Sequence, residues 1–198
     1  MDLYRPKARI VGSLDPIVRG LERRGVTPDA VTLAAVPVGV VAGACILAST
    51  AAPALLLLVP VLAALRLVLN LLDGALARRT GRMHPRGEFY NEVGDRLTDL
   101  AFLVPVAFVP GADAVFVLLG ALGAVFASYA GLASRAAGGD RLYRGILSKP
   151  GRMVLVSVFA VAAFVLGPEA WGPFGPLLLL GTALTALERV VVTIRQLD

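Results

Sequence analysis

Residues 70–78 read Asn70-Leu-Leu-Asp73-Gly74-Ala-Leu-Ala77-Arg78, and after eight more residues the chain continues Gly87-Glu88-Phe-Tyr-Asn91-Glu92-Val-Gly-Asp95. Both stretches sit among long apolar runs. Carboxylates and carboxamides at membrane depth are expensive, so they mark a site by default. Asn70 to Asp73 is an i, i+3 step and Asn91 to Asp95 an i, i+4 step, which puts each pair on one helix face. Taking 100° per residue, Arg66, Asn70, Asp73 and Ala77 fall within about 60°, and Glu88, Asn91, Glu92, Asp95 and Asp99 within about 100°. Two helices joined by a short basic loop would therefore point oxygen ligands at one another. Oxygen-only clusters suit Mg²⁺, Mn²⁺ or Ca²⁺, and such ions commonly hold a diphosphate. Polar pairs of this kind can also serve only to bond helix to helix, but so many on two facing stripes favour function.

The surrounding chain reads as membrane. Its 198 residues are 57% hydrophobic, with a mean hydropathy of +0.78, too apolar for an ordinary soluble domain. Apolar stretches near 30–49, 53–77, 96–111, 114–134, 152–168 and 174–193 approach the span length of about 20 residues. Pro28, Pro53, Pro85, Pro150 and Pro176 fall near expected helix starts, where a missing N–H costs least. The fold class expected is an all-α polytopic membrane protein: six transmembrane helices preceded by an amphipathic juxtamembrane helix. Residues 1–28 form the cytoplasmic juxtamembrane segment and 29–198 a six-helix transmembrane catalytic domain. No removable signal peptide is expected.

Basic residues set the expected orientation. Arg5, Lys7, Arg9, Arg19, Arg23 and Arg24 precede span 1; Arg78, Arg79, Arg82 and Arg86 lie between spans 2 and 3. Arg135, Arg141, Arg144, Lys149 and Arg152 lie around the loop between spans 4 and 5. The loops 49–53, 110–114 and 168–174 carry no Lys or Arg. Both termini and the site are then cytoplasmic, in a multi-pass protein of a prokaryotic cell membrane. The net charge of +5 reads as a membrane-surface and phosphate-binding feature, and no interleaving of basic and aromatic residues suggests nucleic acid. Cys45 is the sole cysteine, which excludes an internal disulfide. A lone His84 in the basic loop reads as a solvated residue. Leu14, Ile17, Val18 and Leu21, with Ile10, keep helical spacing, as in a helix lying in the interface or one docked on the bundle. Thr27 is expected to cap span 1. Arg66 and Asp99, both deeper than the rest, would be costly unpaired; the two readings are a bridge between them beneath the site and Arg66 reaching towards a lipid phosphate. Ser148 and Pro150 mark a helix start that sets Lys149 and Arg152 beside free N–H groups, a phosphate site.

At these residues the chain resembles the CDP-alcohol phosphotransferases, whose signature is D-x2-D-G-x2-A-R-x8-G-x3-D-x3-D. Asp73, Gly74, Ala77, Arg78, Gly87 and Asp95 match in type and spacing, while Asn70 and Asn91 stand where the family has Asp. The resemblance implies transfer of a substituted phosphate from a CDP-linked donor, such as CDP-diacylglycerol, to an alcohol or alcohol phosphate, with release of CMP. It assigns Asp95 as catalytic base, and Asp73, Asp95, Asn70 and Asn91 as ligands of one or two Mg²⁺ or Mn²⁺ ions. Asp73, Gly74, Ala77, Arg78 and Gly87 would bind CDP; Arg135, Lys149 and Arg152 would bind acceptor or lipid phosphate. Glu92 and Asp99 are candidates to supply the charge that two asparagines withhold. A homodimer among membrane lipids is implied as well. The expectation is an active enzyme. The alternatives are a degenerate relative that binds nucleotide-lipid without turnover, and a small lipid transporter or scramblase.

Overall fold

The computed structural model describes residues 14–197, and every long element in them is helical. In chain order these are α1 (Asp15–Arg23), α2 (Pro28–Ala48), α3 (Leu58–Thr80), α4 (Pro85–Leu103), α5 (Ala114–Ala136), α6 (Lys149–Leu166) and α7 (Phe174–Leu197). Short 3-10 turns at Pro53–Leu57, Val104–Phe108 and Pro168–Trp171 lead into α3, extend α4 and precede α7. Prolines open α2 and α4 and stand second in α6, as their missing N–H groups favour. Pro53 differs: it opens a 3-10 turn, and α3 begins only at Leu58.

Among the described residues, five helical segments are long and apolar enough to cross a membrane. The sixth expected span does not meet that measure. Helix α4 starts at Pro85, ahead of the apolar stretch, and takes Arg86, Glu88, Glu92, Asp95, Arg96 and Asp99 into its length. It nevertheless packs along α2 within the bundle.

Helix α2 packs on both α3 and α4, α3 also meets α6, and α5 pairs with α7. Small residues permit the close crossings. A Cβ at Gly43 would overlap the Ala101 carbonyl, and one at Gly39 would lie 2.9 Å from Thr98 Cγ2. In lipid, where apolar burial gives helices little reason to associate, such close backbone approach is a main source of attraction. Backbone cannot yield as a flexible side chain would. Gly43→Val is therefore expected to destabilise by about 1–3 kcal/mol, the usual cost of overpacking, read as a lowered unfolding midpoint in detergent; an unchanged midpoint would show that α2 and α4 can separate freely. The larger of two apolar clusters among the described residues joins Phe102, Val106, Val117, Met153, Trp171 and Phe174 towards the end opposite the polar cluster.

At the polar end, α1 docks on the bundle: Val18 is buried with Val31, Leu72 and Leu76, and Arg79 of α3 pairs with Asp15 and Glu22. Of the two arrangements the hydrophobic spacing allowed, these contacts are those of docking. Ile10, and with it Arg5, Lys7 and Arg9, lies outside the described residues. Thr27 caps α2 as expected, its hydroxyl accepting from the Ala30 N–H at 3.2 Å. Gly81, at φ 65°, ends α3 in the left-handed conformation that favours glycine.

Candidate functional site

The last turns of α3, the first turns of α4 and the start of α6 bring the signature side chains together. Asp73 is buried, and its Oδ2 accepts from the Thr32 hydroxyl of α2 at 2.8 Å. Gly94 of α4 faces Thr32 and Val36, where a Cβ would find only ordinary contact. Asn70 Oδ1 and Asp95 Oδ2 both accept from the Lys149 ammonium, which α6 delivers from the far side. Lys149 and Asp73 are also within electrostatic reach of one another. Asn91 Oδ1 is buried with no hydrogen-bond partner among the described residues. A buried acceptor left unpaired costs about 1–3 kcal/mol and calls for a donor or a cation.

Beneath this layer lies a charged one. Asp99 Oδ1 accepts from Arg66 at 2.6 Å and its Oδ2 from Arg152 at 2.5 Å, and all three side chains are almost fully buried. Of the two readings of Arg66, the bridge to Asp99 is thus the one present, with Arg152 as an additional partner. Arg66 also stands 3.6 Å from Asp95 Oδ1, which links the two layers. Arg152 further donates to the Leu147 carbonyl at 3.0 Å.

The remaining candidates sit at the rim. Arg78 is exposed and its guanidinium lies over Gly74, 3.3 Å from where a Cβ would be. Arg78 also lines a shallow cleft of about 280 Å³ with Asp15, Val18, Ala75 and Arg79. Gly87 abuts Asp29 and His84; a Cβ there would come within 2.9 Å of Asp29 Oδ1. His84 is more than a solvated residue: its Nδ1 accepts from the Gly87 N–H at 3.0 Å and caps α4. Glu92 pairs with Arg96 and Arg141, and Glu88 with Arg135 and Arg141. Arg135 therefore belongs to an ion-pair network over α4, and Arg152 to the buried layer. Of the three phosphate candidates, only Lys149 reaches the signature residues.

Three contributors were not legible as site residues. Thr32 is a hydroxyl in an apolar span, a common and uninformative occurrence. Arg96 is bonded within its own helix to Glu92. Arg189 of α7 is buried and donates to the Ala127, Tyr143 and Arg144 carbonyls, tying down the loop between α5 and α6 that precedes Lys149. Its only signal in the sequence is a charge within an apolar span.

The molecule is thus an all-helical, multi-pass integral membrane protein with a polar, two-layered site at one end of its bundle. The inner membrane protein YnbA of Escherichia coli is 32% identical over 165 residues, covering 83% of this chain and 82% of the relative. Archaetidylinositol phosphate synthase of Aeropyrum pernix is 29% identical over 59% of this chain and 62% of its own. Phosphatidylinositol phosphate synthase of Mycobacterium tuberculosis, crystallised with manganese and citrate, superimposes with a TM-score of 0.74 at 25% identity, over 90% of this chain and 88% of that one. The same enzyme with CDP-DAG bound gives 0.72 at 26% identity. No family model matches the chain. The chain belongs to the CDP-alcohol phosphotransferase family.

The donor set departs from one built for a pair of divalent ions. Among the described residues no three His, Cys, Asp or Glu side chains form a group that could hold a metal ion. Two of the four signature positions carry neutral amides, and Lys149 already engages Asn70 and Asp95. The Asp73 carboxylate and the unpartnered Asn91 oxygen are oxygen donors of the kind a single hard cation takes.

Proposed function

We propose that this protein moves a substituted phosphate, a phosphatidyl group, from a CDP-linked lipid such as CDP-diacylglycerol to an alcohol or alcohol-phosphate acceptor, releasing CMP in phospholipid biosynthesis. The observation that carries this reading is the placement of Asp73 and Asp95 at one end of a bundle that matches a CDP-DAG-bound enzyme, with Arg78 at the rim over Gly74. Asp95 is the base: its side chain is 12% exposed, enough to meet a hydroxyl arriving from the cytoplasmic side. The acceptor oxygen bonds to the phosphorus carrying the lipid, that phosphorus parts from the CMP oxygen, and the acceptor's proton passes to Asp95. Gly74 and Ala77 leave room beside α3 for the nucleotide, and Arg78 pairs with a phosphate oxygen. Asp73 and Asn91 are the residues that would hold one Mg²⁺ or Mn²⁺ ion, which would neutralise the diphosphate.

In this reading α4 is the sixth crossing, shielded by α2, and both termini face the cytoplasm of a prokaryotic cell. The chain works as a homodimer. Asn70, Asn91 and the grip of Lys149 on Asp95 favour one competing reading, a nucleotide-lipid binder without turnover. Incubating the purified protein with labelled CDP-diacylglycerol and a panel of acceptors, with inositol phosphate first because two relatives are named for it, separates the two. CMP release coupled to a new phospholipid is expected. Binding of the donor with no CMP from any acceptor would leave only the second reading.

A further inference from the structure

We infer that Lys149 is a built-in cation that fills the place between Asn70 and Asp95 where a second divalent ion would otherwise be needed. Its ammonium donates to Asn70 Oδ1 and Asp95 Oδ2 at once, and its side chain is only 23% exposed. An ammonium has donors and no acceptor, so the group it meets on Asn70 must be the amide oxygen. That fixes what Asn70 contributes: a lone pair without a charge. An aspartate at position 70 would set two carboxylates around one ammonium and leave the place short of positive charge. With asparagine there, Lys149 and Asp95 balance each other.

Charge in the two layers points the same way. The carboxylates of Asp73, Asp95 and Asp99 are matched by the cations of Lys149, Arg66 and Arg152, and Arg96, 3.9 Å from Asp95, is matched by Glu92. One divalent ion added beside Asp73 and Asn91 gives the excess that a diphosphate requires. A second would crowd against Lys149 and Arg66, where low dielectric magnifies repulsion. Position reinforces this. Lys149 opens α6 directly after the loop that Arg189 pins, and Arg152, one turn on, anchors α6 to Asp99. The backbone that carries Lys149 is therefore fixed, and its ammonium is held by Asn70 and Asp95.

The assignment rests on the proposed function only in naming a diphosphate as the group served. Its test is a count of Mn²⁺ ions bound by the full chain in lipid nanodiscs, by calorimetry and by electron paramagnetic resonance. Wild type and Lys149→Arg are expected to take one ion with an uncoupled spectrum. Lys149→Met combined with Asn70→Asp is expected to take one more and show the spin coupling of a close pair. Should that variant fail to fold, Lys149→Gln with Asn70→Asp gives the same readout with a polar side chain in place. Two ions in the wild type, or no gain in folded double variants, would overturn the assignment. A wild type that takes none while the double variant gains an ion would sink the single-ion reading and support Lys149 as the excluding cation. In chelator, Lys149→Met is expected to weaken CDP binding about tenfold or more, the scale of a lost charge-assisted bond; equal binding would overturn its service to the diphosphate. If CDP binds neither protein while the ion counts hold, the proposed reaction fails and the cation assignment stands.

Discussion

Asp95→Ala and Asp73→Ala are each expected to lower CMP release by on the order of 10² or more while leaving the protein folded. The causes differ. Loss of Asp95 removes the group that takes the acceptor's proton, and it also frees Lys149. That ammonium is partly exposed and can be hydrated, so the stability cost is modest. Loss of Asp73 removes a carboxylate that Thr32 and the Gly74 N–H hold in one orientation. Its effect should fall on donor binding and turnover together, since it acts on the diphosphate. The pH profile separates the two: with Asp95 gone, the residual rate should follow hydroxide concentration, whereas Asp73→Ala should keep the wild-type shape at a lower level. Turnover near normal in either variant would rule out the reaction scheme.

How far the sequence could be read depends on the range of each interaction. The helical spans were legible because composition and proline placement act locally, and α2, α3, α5, α6 and α7 lie close to the expected apolar stretches. Helix α4 was harder to read as a span: Pro85 marked its start, but its polar turns precede its apolar ones, so hydropathy picked out only the stretch near 96–111. The stripes of Asn70 with Asp73 and Asn91 with Asp95 follow from helical periodicity alone, and the depth of Arg66 and Asp99 offered their pairing as one of two readings, the one the contacts show. What periodicity cannot give is the third helix. Nothing in the local pattern says that α6 delivers Lys149 to Asn70 and Asp95, that Arg152 turns inward to Asp99, or that Thr32 reaches Asp73 from α2. Those contacts span long sequence separations and are fixed by how helices cross. Crossing in turn depends on Gly39 and Gly43, whose meaning appears only when the facing backbone is known.

The buried layer is where the largest loss of stability is expected. Asp99→Ala leaves Arg66 and Arg152 facing one another, with side chains only 1% and 3% exposed. Neither can be hydrated without opening the bundle, and Lys149 adds a third positive charge nearby. Removing the single carboxylate that two guanidiniums share should cost about 3–5 kcal/mol, the range for breaking a buried ion pair from one side. Removing Arg66 as well should not restore stability, because Arg152 still lacks its partner. The triple change Arg66→Met, Asp99→Leu, Arg152→Met removes every charge of the trio and should recover most of the loss. It should fall short by about 1 kcal/mol or more, because Arg152 also bonds the Leu147 carbonyl and Arg66 also stands 3.6 Å from Asp95. Thermal unfolding of the single, double and triple variants in one detergent measures these differences, and neighbours in one network should depart strongly from additivity. Losses that simply add would mean the three side chains act independently, and the layer beneath the site would then be a set of separate contacts rather than a shared charge balance.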